Sequence, residues 1–160
     1  MAKRLTDTEI WDQDWFVELP TKYKLFWCYI KDKCDNAGFW RPNKVIAQRI
    51  IGEPINIQEF LEFINVDKER IVVLPTGKWF LRDYFLFQYG DTFSPSSKVH
   101  IGALRTMVSN GVHVAEILKT GSGNLKNVDI QELKEIAYHK DIKRLSEAYQ
   151  NGIDRTKEKE

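Results

Sequence analysis

The sequence has almost no excess of charge. Its 24 lysines and arginines face 23 aspartates and glutamates, a net of +1 over 160 residues. Bulk electrostatic capture of nucleic acid or of an anionic membrane surface is therefore excluded, and any contact with phosphate must come from local clustering. Cysteine is scarce: Cys28 and Cys34 are the only two, six positions apart. A disulfide framework needs more cysteines, and a zinc site needs closer pairs or nearby histidines. Both are expected to be reduced thiols. Histidine is as sparse, with His100, His113 and His139 spaced 13 and 26 apart. That spacing lacks the i, i+4 step that sets two imidazoles on one helix face. No apolar run approaches the roughly 18 residues of a membrane-spanning helix. The basic Lys3-Arg4 is followed by no apolar segment, so no secretory signal is expected and the cytoplasm is the expected location. Neither a GxxxxGK[ST] phosphate loop nor a GxSxG nucleophile elbow is present, and the carboxylates are scattered. No catalytic residue, metal or cofactor is expected.

What the chain does have is aromatic bulk: nine Phe, six Tyr and five Trp. Large rings give a modest domain the apolar area its core needs. The hydrophobic fraction of 42% and charged fraction of 29% fit one globular domain with an appendage. Residues 1–14 read as an acidic N-terminal arm. Trp11, Trp15 and Phe16 pin the chain there. A helix is expected over 21–35, because Tyr23, Phe26, Trp27, Ile30 and Cys34 recur at helical steps. Asn36-Ala37-Gly38 stops it. Phe39-Trp40-Arg41 is a short extended run. A second helix spans 44–51 with Asn43 as its cap, and a third spans 56–65 with Ile57, Phe60, Leu61 and Ile64 as its stripe. Residues 70–74 and 78–82 are strand-like and flank a turn at Pro75-Thr76-Gly77. Short helical stretches over 83–89 and 98–109 follow. Thr120-Gly121-Ser122-Gly123-Asn124 marks a linker, taken as 113–127, ahead of an amphipathic tail helix within 128–160.

Helix, short strand, helix, turn, helix and hairpin is the order of a winged helix-turn-helix. The expected class is α+β, mostly helical, with extra C-terminal helices beyond a domain at 15–112. In such a domain the second helix crosses a DNA backbone, the third meets base edges and the hairpin touches phosphates. The DNA-contact candidates are Lys44, Gln48 and Arg49 on the second helix. Asn56 and Gln58 at the start of the third can each pair with adenine, although Asn56 also suits a cap. Arg70, Thr76 and Lys78 are the candidates on the hairpin. The third helix carries Glu59 and Glu62 and no cation, and carboxylates repel phosphate. The large rings of Trp27, Trp40 and Trp79 are expected inside, not stacked on bases.

Trp15-Phe16, Leu19-Pro20, Tyr23-Lys24-Leu25-Phe26-Trp27 and Asp35-Asn36-Ala37-Gly38-Phe39-Trp40 resemble the opening of phage and prophage replication-initiation proteins. These are replisome organisers of the DnaD-like winged-helix kind. Val73 to Leu81, Phe87-Gln88-Tyr89-Gly90 and Ser97-Lys98-Val99-His100 are similar to the segments that follow there. The resemblance covers residues 1 to about 112. It implies a DNA-binding, protein-assembling module at a replication origin, with duplex DNA and other replication proteins as partners. A second expectation stays open beside it: a winged-helix interaction or oligomerisation module with no direct DNA contact. The acidic third helix and the apolar stripe of the tail helix, an expected site of self-association, favour that alternative.

Overall fold

The computed structural model describes residues 3–90 and 97–112. The linker and tail helix expected over 113–160 lie outside the described residues. A 3-10 turn at Glu9–Asp12 leads into α1 (Asp14–Val17), α2 (Thr21–Lys33), β1 (Phe39–Trp40), α3 (Lys44–Ile51) and α4 (Ile57–Ile64). The hairpin β2 (Ile71–Val73) and β3 (Trp79–Leu81) follows, then α5 (Tyr84–Tyr89) and α6 (Lys98–Ser109). The class is α+β, with helices around one antiparallel sheet of order β1-β3-β2.

The central strand explains the architecture. Side chains alternate between the two faces of a strand. Trp79, Phe80 and Leu81 are nevertheless all buried, because both faces of β3 are covered. Trp79 and Leu81 join Phe26 and Ile30 of α2 and Phe60 and Ile64 of α4 in one apolar cluster. Phe80 turns the other way and joins Phe39, Phe85 of α5 and Ala103, Leu104 and Met107 of α6 in a second. Register sets these partners: Phe80 lies opposite Phe39 and Val72, and Trp79 opposite Trp40 and Val73. In the first cluster the Phe26 and Phe60 rings lie 4.6 Å apart, and Phe60 stacks on Trp79 at 6.0 Å with 9° between planes. Truncating a ring at such a site typically costs about 3–5 kcal/mol.

The turn from α2 into β1 is fixed by side-chain chemistry. Asp35 Oδ1 accepts from the backbone N–H of Ala37 and of Phe39, both at 2.9 Å. Gly38 then takes φ +88°, and a Cβ there would lie 2.9 Å from Tyr84 Cβ and 3.0 Å from the Leu81 carbonyl oxygen. Only glycine fits both the angle and the space. Residues 35–38 are thus a structural hinge between helix and sheet. Helix α2 ends at Lys33 and not at 35, since Cys34 is already extended at ψ 161°. Its thiol stays buried and donates to the Lys31 carbonyl at 3.2 Å.

The N-terminal arm lies against the domain. Ile10 is buried, Arg4 Nη2 donates to the Cys34 carbonyl at 2.6 Å, and Leu5 exchanges two hydrogen bonds with the Gln88 side chain, at 2.9 and 3.0 Å. The Trp27, Trp40 and Trp79 rings are buried, as their helical and strand positions require. No helix among the described residues is long and apolar enough to cross a membrane.

Candidate nucleic-acid interface

Helix α3 begins on a side-chain cap, with Asn43 Oδ1 accepting from Ile46 N at 3.1 Å, and ends at Gly52, whose φ is +83°. Lys44 and Arg49 are exposed on it, and their side chains make no hydrogen bond or ion pair with another described residue. At about 100° per residue their Cβ directions diverge by about 140°, so the two cations leave from opposite flanks of the helix. Gln48 is spent locally: its Oε1 accepts from Ile55 N at 3.0 Å and fixes the connection into α4.

Helix α4 has little left to offer a base. Asn56 Oδ1 caps it, accepting from Gln58 N at 3.1 Å and Glu59 N at 3.3 Å. The capping alternative is the one realised for Asn56, and adenine reading by that side chain would uncap the helix. Gln58 Nε2 donates to Glu62 Oε1 at 3.0 Å. Glu59 accepts from the hydroxyl of buried Tyr23. Burial, and then that bond to a carboxylate, pushes the Tyr23 hydroxyl up to about 12.

The hairpin corrects the sequence reading most. Arg70 was expected to reach phosphate from a strand face. Instead it sits just before β2 with 6% of its surface exposed. It pairs through both Nη atoms with the two carboxylate oxygens of Asp67, and Nη1 also donates to the Ile64 carbonyl at 3.0 Å. Its guanidinium lies 3.8 Å from the Trp15 ring centroid. Arg70 is a buried clamp among α1, the end of α4 and β2. The cation beside it draws the Asp67 carboxyl down to about 2. Lys78 is half-buried and donates to Asn110 Oδ1 at 2.9 Å, which ties the hairpin to the end of α6. Lys68 pairs with Asp83, and Arg82 with Glu69. Thr76 is exposed beside Gly77, at φ +78°, in a turn closed by Gly77 N donating to the Leu74 carbonyl at 2.8 Å.

Of the eight candidates, Lys44, Arg49 and Thr76 remain open to a ligand, and the structure gives the other five an internal contact. The sequence reading missed a different feature of α3. Of its apolar residues Val45, Ile46, Ala47, Ile50 and Ile51, Ala47 alone is buried. Val45, Ile46 and Ile50 are exposed by 67%, 48% and 55%. The signal was present: residues 45, 46, 47, 50 and 51 spread over about 240° of a helical wheel, wider than one side of a helix can bury.

Among the described residues, no three His, Cys, Asp or Glu side chains come together as a metal-ion cluster. No protein-family model matches the chain, and comparison with curated proteins and with solved structures returns no match.

Proposed function

We propose that residues 15–112 form a winged helix-turn-helix, with α3 and α4 as the helix pair and β2–β3 as the wing. We further propose that this module anchors duplex DNA as an accessory of replication initiation. The element order and the β1-β3-β2 sheet support the first part. The second rests on the resemblance to phage replisome organisers and on one observation that carries it: Lys44 and Arg49 stand out on α3 while the hairpin cations are engaged with Asp67, Asp83, Glu69 and Asn110.

The mechanism is backbone anchoring by α3, with the exposed Thr76-Gly77 turn offering a phosphate a hydroxyl or backbone N–H contact. Base reading is minor, because the polar side chains of α4 hold their own helix together. Because Lys44 and Arg49 leave from opposite flanks, both meet phosphates only when α3 crosses the backbone; two such contacts predict a slope of log affinity against log salt of about −1.8, a loss of about twelve-fold from 50 to 200 mM salt. Fluorescence anisotropy with a mixed-sequence duplex measures it. Lys44→Glu together with Arg49→Glu abolishes binding, and Lys78→Gln leaves the slope unchanged. A flat salt dependence, or binding that survives the double reversal, refutes the reading. The exposed Val45, Ile46 and Ile50 favour the second reading, a protein-docking module.

A further inference from the structure

The charges of the two helices are segregated. Helix α3 carries Lys44 and Arg49 and no carboxylate, and α4 carries Glu59 and Glu62 and no cation. Each also bares apolar surface. On α3, Val45, Ile46 and Ile50 are exposed around Arg49, within one arc of about 140°. On α4, Gln58, Glu62 and Phe63 are exposed, and Val66 just beyond the helix end is exposed by 68%. Glu62 meets a neutral amide and no cation among the described residues, so its charge is uncompensated.

We infer that the α3 face bearing Val45, Ile46, Arg49 and Ile50 docks on the α4 face bearing Glu62, Phe63 and Val66 of a second copy of this chain, and that this contact and DNA exclude each other at α3. The exclusion rests on the proposed DNA reading; the docking does not. The two faces match in sign and in apolar character, and both belong to one chain, so the partner they fit best is the chain itself. Repeated about a two-fold axis the contact closes a dimer, and made once it leaves a free face for a third copy. In either arrangement the Glu62 carboxylate occupies the place a phosphate takes on Arg49. The module would then assemble away from DNA and release its neighbour on reaching a duplex.

A patch of five apolar side chains is smaller than the roughly 800 Å² per partner of a standard stable interface. Association is therefore weak and concentration-dependent. Sedimentation equilibrium of the full chain, over about 5–500 µM, covers the range expected for such a contact. The wild type is expected to self-associate, and adding a mixed-sequence duplex to dissociate it. Reversing one charge replaces attraction with repulsion. Arg49→Glu and Glu62→Lys should each weaken assembly at least about ten-fold, and the combined swap should restore it. All three are exposed changes whose folding is checked by circular dichroism. Glu62→Lys should stay monomeric and bind duplex at least as tightly as the wild type, whereas the swap assembles and binds duplex more weakly than Glu62→Lys does. A wild type monomeric throughout, an assembly indifferent to Glu62→Lys, or a swap that restores nothing overturns the docking. A duplex that binds without dispersing the assembly overturns the exclusion. If monomeric Glu62→Lys shows no anisotropy change with duplex, the DNA reading fails while the docking stands.

Discussion

Replacing Arg70 with methionine should destabilise the domain and leave any DNA contact intact. The side chain is buried, so the substitution keeps most of its stem packing and removes the guanidinium. Three interactions go with it. The hydrogen bond to the Ile64 carbonyl is internal, and a buried acceptor left without its partner costs about 1–3 kcal/mol. The guanidinium over Trp15 at 3.8 Å contributes about 0.5–2 kcal/mol. The pair with Asp67 adds little, about 0–1 kcal/mol, because that carboxylate is 55% exposed and water replaces the lost partner. The expected loss is about 2–4 kcal/mol, a large share of the roughly 5–15 kcal/mol that holds a domain folded. Urea denaturation followed by tryptophan fluorescence should report a lower midpoint at unchanged slope. Arg70→Lys should lose nearly as much, since an ammonium cannot bridge Asp67, Ile64 and the Trp15 ring together. A loss below about 1 kcal/mol in the methionine variant, or a folded variant with weakened duplex binding, would refute the clamp and return Arg70 to the DNA surface.

Two further outcomes test the core. The Tyr23 hydroxyl is raised to about 12 and the Cys34 thiol to about 11, chiefly by burial, so both favour their neutral forms when folded. That stability is fully present below the unfolded values near 9–10 and falls as pH rises through 11–12, so urea midpoints should drop on the alkaline side. Tyr23→Phe should flatten the upper part of that decline, and an unchanged profile would count against the buried Tyr23–Glu59 contact. Gly38→Ala should cost more than about 2 kcal/mol in thermal unfolding, because the left-handed φ and the 2.9 Å approach to Tyr84 act together. A loss under 1 kcal/mol would mean that the hinge relaxes freely.

Most element positions could be read in the sequence because local signals agreed. Asn43 and Gly52 bracket α3, and Asn56 and Asn65 bracket α4. Pro75-Thr76-Gly77 places the hairpin turn, and the step of three and four in Tyr23, Phe26, Trp27 and Ile30 places α2. The candidate site was less legible, because sequence gives residue type and not what that residue is spent on. Arg70 looked like a strand-face cation, and its partners Trp15 and Ile64 come from other elements. Lys78 looked like a turn-tip contact until α6 brought Asn110 beside it. Gln48 and Gln58 read as free amides, and both close short local bonds. The exposed face of α3 was hidden for the opposite reason, since aliphatic residues are read as core unless their angular spread is checked.

The two-sided burial of β3 bears on how this unit can be divided. A hairpin that faced solvent on one side could be exchanged between proteins as a cassette. Here, cutting the chain at Gly90 would strip Ala103, Leu104 and Met107 from Phe39, Phe80 and Phe85 and leave an oily sheet surface open to water. Any piece that keeps this sheet covered on both faces must therefore include α6, and at the turn it is the exposed Thr76, not Gly77 with its left-handed φ of +78°, that is free to change.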